Sequence, residues 1–110
     1  MKRIFLDTNI LIYIFRTNLN LEQLIESIGY YYPVINQSIK QEFEKIIGNT
    51  SFIDAFECFS CTNKGDYSIL ETCLEYKIPC ISNDRELVRK LKSKQVKCYI
   101  LSKTKRLLEI

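Results

Sequence analysis

The sequence predicts an α/β fold: a three-layer α/β/α sandwich around a central parallel sheet of four to five strands, with residues 1–110 forming one domain. Three observations carry this. Short apolar runs of strand length alternate with longer stretches whose apolar residues recur at helical spacing. Two of those runs end in the same way, an apolar strand followed at once by acid, hydroxyl and amide side chains: Leu6-Asp7-Thr8-Asn9 and Ile81-Ser82-Asn83-Asp84. The chain has 110 residues, 46% hydrophobic and 26% charged. A chain of that size buries about 60–70% of its unfolded surface without disulfides or metals to hold it.

Taken in order, Ile4-Phe5-Leu6 reads as the first strand, and Asp7 as the hand-over to a helix over 8–16 carrying Ile10, Leu11, Ile12, Ile14 and Phe15. Asp is a good N-cap, so the position alone is equally consistent with a plain helix cap. A second helix follows Asn18-Leu19-Asn20, with Leu21, Leu24, Ile25 and Ile28 on one stripe before Gly29 stops it. Pro33-Val34-Ile35 is the second strand. Ser38 opens a helix running to about Ile47, with Ile39, Phe43, Ile46 and Ile47 inward. Thr50 is expected to cap a shorter helix bearing Phe52, Ile53, Phe56 and Phe59. Asp66 starts the next, with Ile69, Leu70, Cys73 and Leu74 on its stripe. Ile78 to Ile81 is the third strand, and the helix after it turns Leu87, Val88 and Leu91 inward. Val96 to Leu101 is the fourth strand, and the tail 103–110 pairs as a fifth or docks on the surface.

Composition removes several functions. No apolar run reaches the roughly 18 residues of a membrane span. Asp7 interrupts the N-terminal apolar stretch, so no cleavable signal peptide is read and a cytoplasmic protein is expected. The five cysteines are then reduced thiols, read as small buried hydrophobes. Cys58-Phe59-Ser60-Cys61 has CxxC spacing, but no second pair and no His complete a four-ligand zinc site. The absence of His excludes Ser-His-Asp and Cys-His catalysis, so enzymatic chemistry here would fall to carboxylates and a metal. Net charge is +3, unevenly spread. Residues 85–110 hold nine Lys and Arg against two acids, and residues 1–84 hold seven against eleven. An acidic body with a basic tail suits a metal site beside a phosphate-binding surface, as well as a solvated helix face.

Asp7 and Asp84 follow strands, Asp66 opens a helix and Glu42 lies in the first turns of another, with Glu44 a rival for that place. The carboxyl ends of parallel strands lie along one edge, so acids placed there converge if their strands are neighbours. At about 4 Å each carboxylate pair repels by about 1 kcal/mol in water and about 4 at an effective dielectric of 20. Several such pairs rival a domain's whole stability of about 5–15 kcal/mol. Such a cluster persists only if protonated, well hydrated or holding a divalent cation, and hard oxygen ligands favour Mg²⁺ or Mn²⁺ over zinc.

Four segments, in this order, carry a resemblance: Ile4-Phe5-Leu6-Asp7-Thr8-Asn9-Ile10-Leu11, Ser38-Ile39-Lys40-Gln41-Glu42-Phe43, Gly65-Asp66-Tyr67-Ser68-Ile69-Leu70 and Ile81-Ser82-Asn83-Asp84-Arg85-Glu86-Leu87. Over nearly its full length the chain resembles the PIN domain, found in metal-dependent ribonucleases of toxin–antitoxin modules and of ribosomal RNA processing. The stretch from Asn83 to Leu101 is most similar to the archaeal branch related to the processing nucleases. The resemblance implies that Asp7, Glu42, Asp66 and Asp84 form the catalytic, metal-binding cluster, with Asp7 and Asp84 holding Mg²⁺ or Mn²⁺ most directly. It implies supporting roles for Thr8, Asn9, Ser38, Ser82 and Asn83, with Asn9 and Ser82 acting through hydrogen bonds. Arg85, Arg89, Lys90 and Lys92 would hold the RNA backbone. Two departures stand out: Tyr67 occupies a position where many members of that branch carry a second acid, and the segment between 48 and 65 is short.

The implied function is a divalent-metal-dependent endoribonuclease acting on single-stranded or structured RNA, as a toxin or an RNA-processing enzyme. Expected partners are RNA, a cognate antitoxin or ribonucleoprotein, and a second copy in a homodimer, with Tyr30-Tyr31-Tyr32 as its surface. The alternative is a non-catalytic interaction module with the same fold. A metal-activated phosphatase fits less well, because the strand ending at Asp7 lacks a second aspartate two residues on.

Overall fold

A computed structural model describes residues 2–110. The elements run β1 (Lys2–Leu6), α1 (Thr8–Thr17), α2 (Leu21–Glu26), β2 (Tyr31–Asn36), α3 (Gln37–Ile47), β3 (Glu57–Phe59), α4 (Gly65–Tyr76), β4 (Cys80–Ile81), α5 (Arg85–Ser93), β5 (Cys98–Leu101) and β6 (Leu107–Glu109). They build one six-stranded sheet in the order β3-β2-β1-β4-β5-β6, parallel except for β6, which pairs antiparallel with β5. The expected α/β/α sandwich is therefore present, with helices on both faces.

The central strands are apolar because both faces are covered. Ile4, Phe5 and Leu6 of β1, Val34 and Ile35 of β2 and Cys80 and Ile81 of β4 are all fully buried. Parallel strands covered on both sides read as continuous apolar runs in this way. β1 sits between β2 and β4, and the chain moves away from it in opposite directions on its two sides. This is the topological switch point of an open parallel sheet, where a crevice forms at the strands' carboxyl ends.

Three expectations change. Residues 50–59 are not a helix. Ile53 N–H donates to Thr50 O and Phe56 N–H to Ile53 O, so the chain turns through successive i+3 bonds without continuing. It then enters β3, whose Glu57, Cys58 and Phe59 pair with Val34, Ile35 and Asn36. The helix-like spacing of aromatics instead serves a cluster: Phe52 packs on Phe15, Phe43 and Phe56 with ring centroids 5.6–6.0 Å apart. Second, β3 brings the sheet to six strands, one more than the upper expectation, while the tail pairs as the expected additional strand β6. Third, only Cys73, Cys80 and Cys98 are buried hydrophobes; Cys58 is exposed on the edge strand and Cys61 half-buried, and all five are free thiols.

Candidate active site

β1 ends in a buried position, so the first side chain beyond it is enclosed. Asp7 is only 7% exposed. It is also the N-cap of α1: its Oδ1 accepts the Thr8 N–H at 2.7 Å. The cap reading and the site reading of Asp7 thus describe one geometry. Because β1 lies against β4, Asp7 N–H donates to Ile81 O and Ser82 stands beside it. The Ser82 hydroxyl donates to Asp7 Oδ2 at 2.8 Å and accepts the Asp84 N–H at 3.1 Å. One buried hydroxyl therefore ties the carboxylate after β1 to the backbone of the acid after β4. Asp84 caps α5, its Oδ1 accepting from the N–H groups of Glu86 and Leu87.

The other two acids reach this edge through α3 and α4. Asn36, at the end of β2, accepts the Ile39 N–H and so starts α3. Glu42 then lies one turn on, and Thr8 donates its hydroxyl to Glu42 Oε2 at 3.2 Å. No such bond links Glu44 to the site. Ser38 Oγ accepts the Gly65 N–H at 3.0 Å, which sets the first turn of α4 and with it Asp66. Asp66 and Asp84 are half-buried and Glu42 is exposed.

Asp7 holds its proton more tightly than an ordinary aspartate. Burial is the main cause; the hydrogen bonds from Ser82 and Thr8 oppose it, and the charges of Asp66 and Asp84 add to it. A buried carboxylate repelled by two further acids is the arrangement a cation relieves. Among the described residues, however, no three His, Cys, Asp or Glu side chains stand close enough together to enclose one ion. Mg²⁺ does not require such a cage, since it keeps several waters and takes one or two carboxylates. In donor chemistry the four acids fit a hard, partly hydrated cation.

The supporting residues divide. Thr8, Ser38 and Ser82 bond within the site as described. Asn9 is exposed and makes no side-chain hydrogen bond among the described residues. Asn83 turns to β5 instead: its amide donates to Leu101 O and accepts the Leu101 N–H, copying a strand pair. Of the basic set, Arg89 is paired with Glu86 at 2.8 Å and Lys90 lies 5.3 Å from the centre of the Tyr67 ring. Arg85 and Lys92 are exposed. The residue that sequence reasoning missed is Asn36, fully buried, whose amide also donates to Ser68 O and Thr72 Oγ1. Its place directly after an apolar strand and before a helix was the available signal.

The switch-point crevice, with acids on both of its strands, gives this chain the fold of the PIN domain. Two relatives stand out. The solved structure of the PIN domain endonuclease Utp24 superposes with a TM-score of 0.80 at 20% identity, covering 98% of this chain and 92% of that one. Ribonuclease VapC9 of Archaeoglobus fulgidus is 27% identical over an alignment of 112 positions, 91% of this chain and 83% of the relative. No family model matches the chain. Among the described residues no helix is long and apolar enough to cross a membrane.

Proposed function

We propose that this chain is a divalent-metal-dependent endoribonuclease that hydrolyses phosphodiester bonds at the sheet edge that carries Asp7, Glu42, Asp66 and Asp84. The observation that carries this is the state of Asp7: a buried carboxylate, bonded by Ser82 and Thr8, whose ionised form is opposed by two neighbouring acids. Both relatives' names, an endonuclease and a ribonuclease, support the same reading.

Asp7 and Asp84 would hold Mg²⁺ or Mn²⁺ most directly, with Glu42 and Asp66 completing the set through ligation or water. The ion supplies charge to offset that of the phosphate and acidity to a water. The chain's own residues bind and orient. Ser82 fixes the Asp7 carboxylate in one rotamer, and Thr8 steers Glu42 toward it. Arg85, Lys90 and Lys92 would hold the RNA backbone. The work is that of a toxin with a cognate antitoxin, or of an RNA-processing enzyme, carried out in the cytoplasm. A homodimer would use Tyr30, which is the most exposed of the three adjacent tyrosines.

The test is cleavage of a defined single-stranded RNA with Mn²⁺. Asp7→Asn should lower the rate by about 100-fold or more, the scale on which removal of one preorganised electrostatic group acts. An undiminished Asp7→Asn enzyme contradicts the mechanism. The second reading, a non-catalytic module, is favoured by Tyr67 and by the absence of three acids around one point. It predicts RNA or protein binding with no metal-dependent turnover in the same assay.

A further inference from the structure

Beside the acids a cleft of about 390 Å³ opens between α1 and the turn that joins β5 to β6. Two of its lining residues are chain neighbours of the acids: Asn9 is two residues beyond Asp7, and Asn83 precedes Asp84. Tyr13, Ser102, Lys103 and Lys105 complete the walls, over a floor of buried apolar side chains. The lining is mixed, with Ile10, Leu101 and the Tyr13 ring among amide, hydroxyl and ammonium groups, and the volume lies near the lower end of the range of about 300–1,000 Å³ for small-ligand sites. It admits one flat heterocycle rather than a helix or a folded RNA.

We propose that this cleft is a nucleobase subsite, taking a base of the RNA strand whose phosphate lies at the acids; the assignment rests on the ribonuclease reading. Three features identify the ligand. Tyr13 is an aromatic wall, half-buried and held in α1. The Asn9 amide, with both a donor and an acceptor, has no partner among the described residues and can pair with the edge of a base. Asn83 cannot, being engaged on both sides by Leu101. Third, the Lys105 ammonium lies 4.6 Å from the centre of the Tyr13 ring.

That lysine is aimed by the turn. Ser102 N–H donates to Arg106 O and Lys105 N–H to Ser102 O, while Lys105 itself has φ 65, a left-handed value usually left to Gly or Asn. A base entering the cleft takes the ammonium's place on the Tyr13 face, and the freed cation meets the phosphate of that nucleotide. Stacking of a base on an aromatic side chain is sequence-tolerant, and its loss by alanine substitution weakens binding by about 5- to 150-fold.

The chain contains no tryptophan, so Tyr13→Trp places a single indole reporter in the cleft. Titration with AMP, GMP, CMP and UMP should quench its emission saturably, and ribose 5-phosphate, which lacks a base, should not. In the unsubstituted protein the same nucleotides should shift the Tyr13 ring and Asn9 amide resonances, which keeps the test open if the tryptophan variant folds poorly. In RNA cleavage, Tyr13→Ala should raise KM by about 5-fold or more with kcat little changed, and Tyr13→Phe should restore it. Equal responses to ribose 5-phosphate and the nucleotides, or no response in either protein, would overturn the subsite. Nucleotide binding without RNA cleavage keeps the base site and removes the nuclease; cleavage without any nucleotide response does the reverse.

Discussion

Asp7 caps a helix and is buried at the candidate site, and the two settings pull its protonation in opposite directions. The Thr8 and Ser82 hydrogen bonds favour the carboxylate, while burial and the charges of Asp66 and Asp84 disfavour it, and the balance raises its pKa above the ordinary 3.8. Between its unfolded and folded values the native state therefore binds more protons at this group than the unfolded chain does. The contribution of Asp7 to stability is complete below about pH 4 and is lost as pH rises through its folded value. Metal-free Asp7→Asn should accordingly melt at the same temperature as the parent or higher at pH 7, with the advantage shrinking toward pH 4. Melting curves of both proteins across that range check it, and a variant that loses stability at neutral pH opposes it. Asp7 and Asp84 were legible as residues because Asp7 follows an apolar strand directly and Asp84 closes the hydroxyl-amide-acid triplet that follows another. Thr8 as the partner of Glu42 was less so: successive side chains at a helix start point about 100° apart, and the sequence does not say which of Thr8 and Asn9 faces the acids.

Helix starts decide where the remaining acids lie. Asn36 is fully buried, opens α3 through the Ile39 N–H and clasps α4 through Ser68 O and Thr72 Oγ1. Asn36→Ala removes a cap and leaves buried polar groups of α4 without this partner, so it should cost about 2–3 kcal/mol in denaturant unfolding. Since α3 carries Glu42 and α4 carries Asp66, the variant should also lose activity in excess of its unfolded fraction. A fully stable Asn36→Ala protein would show that this joint is not what fixes the two helices. Farther along α4, Glu71 accepts from the backbone N–H groups and side chains of Thr62 and Asn63, which lowers its pKa from 4.5 to about 2. A depressed carboxyl contributes stability above its unfolded pKa and loses it as pH falls toward 2. Glu71→Gln should thus speed amide exchange at Thr62 and Asn63 at neutral pH, with the difference from the parent fading below about pH 4.5; a difference that grows on acidification would contradict this. The segment the sequence misread, residues 50–59, lies just before this loop. Phe52, Ile53 and Phe56 have helical spacing, but three-residue turns equally well place Phe52 on Phe15 and Phe43, and Phe56 on Phe52. Periodicity over so short a stretch cannot separate the two, and a three-residue edge strand such as β3 is too short to announce itself.

Across the whole molecule, strand order is what turns scattered acids into neighbours. β1 and β4 are far apart in the chain and adjacent in the sheet, so Asp7 and Asp84 emerge side by side at the switch point. Alternation of strands and helices predicted the layered fold, because a parallel sheet needs helical crossovers. It could not predict the antiparallel β6, which a short turn from Ser102 to Arg106 allows. Part of the positive charge of residues 85–110 borders the same edge: Arg85 follows Asp84, and Lys103 and Lys105 line a cleft with Asn9 and Asn83, whereas Lys94 and Lys97 stand with Lys2 and Arg3 at the opposite edge. RNA affinity should therefore fall steeply with salt, and removing Lys90 or Lys92 should lessen the slope by about 1 each if each contacts a phosphate. In the proposed site Asp7 and Asp84 hold one hydrated cation, and Glu42 and Asp66 reach it directly or through water. Sub-stoichiometric Mn²⁺ added to isotope-labelled protein tests this most directly, since the ion broadens nearby amide signals. Resonances of Asp7, Glu42, Asp66 and Asp84 should fade together, and Asp84→Asn should weaken the effect at all four. Broadening confined to other parts of the surface, or to one of these acids without the rest, would contradict it.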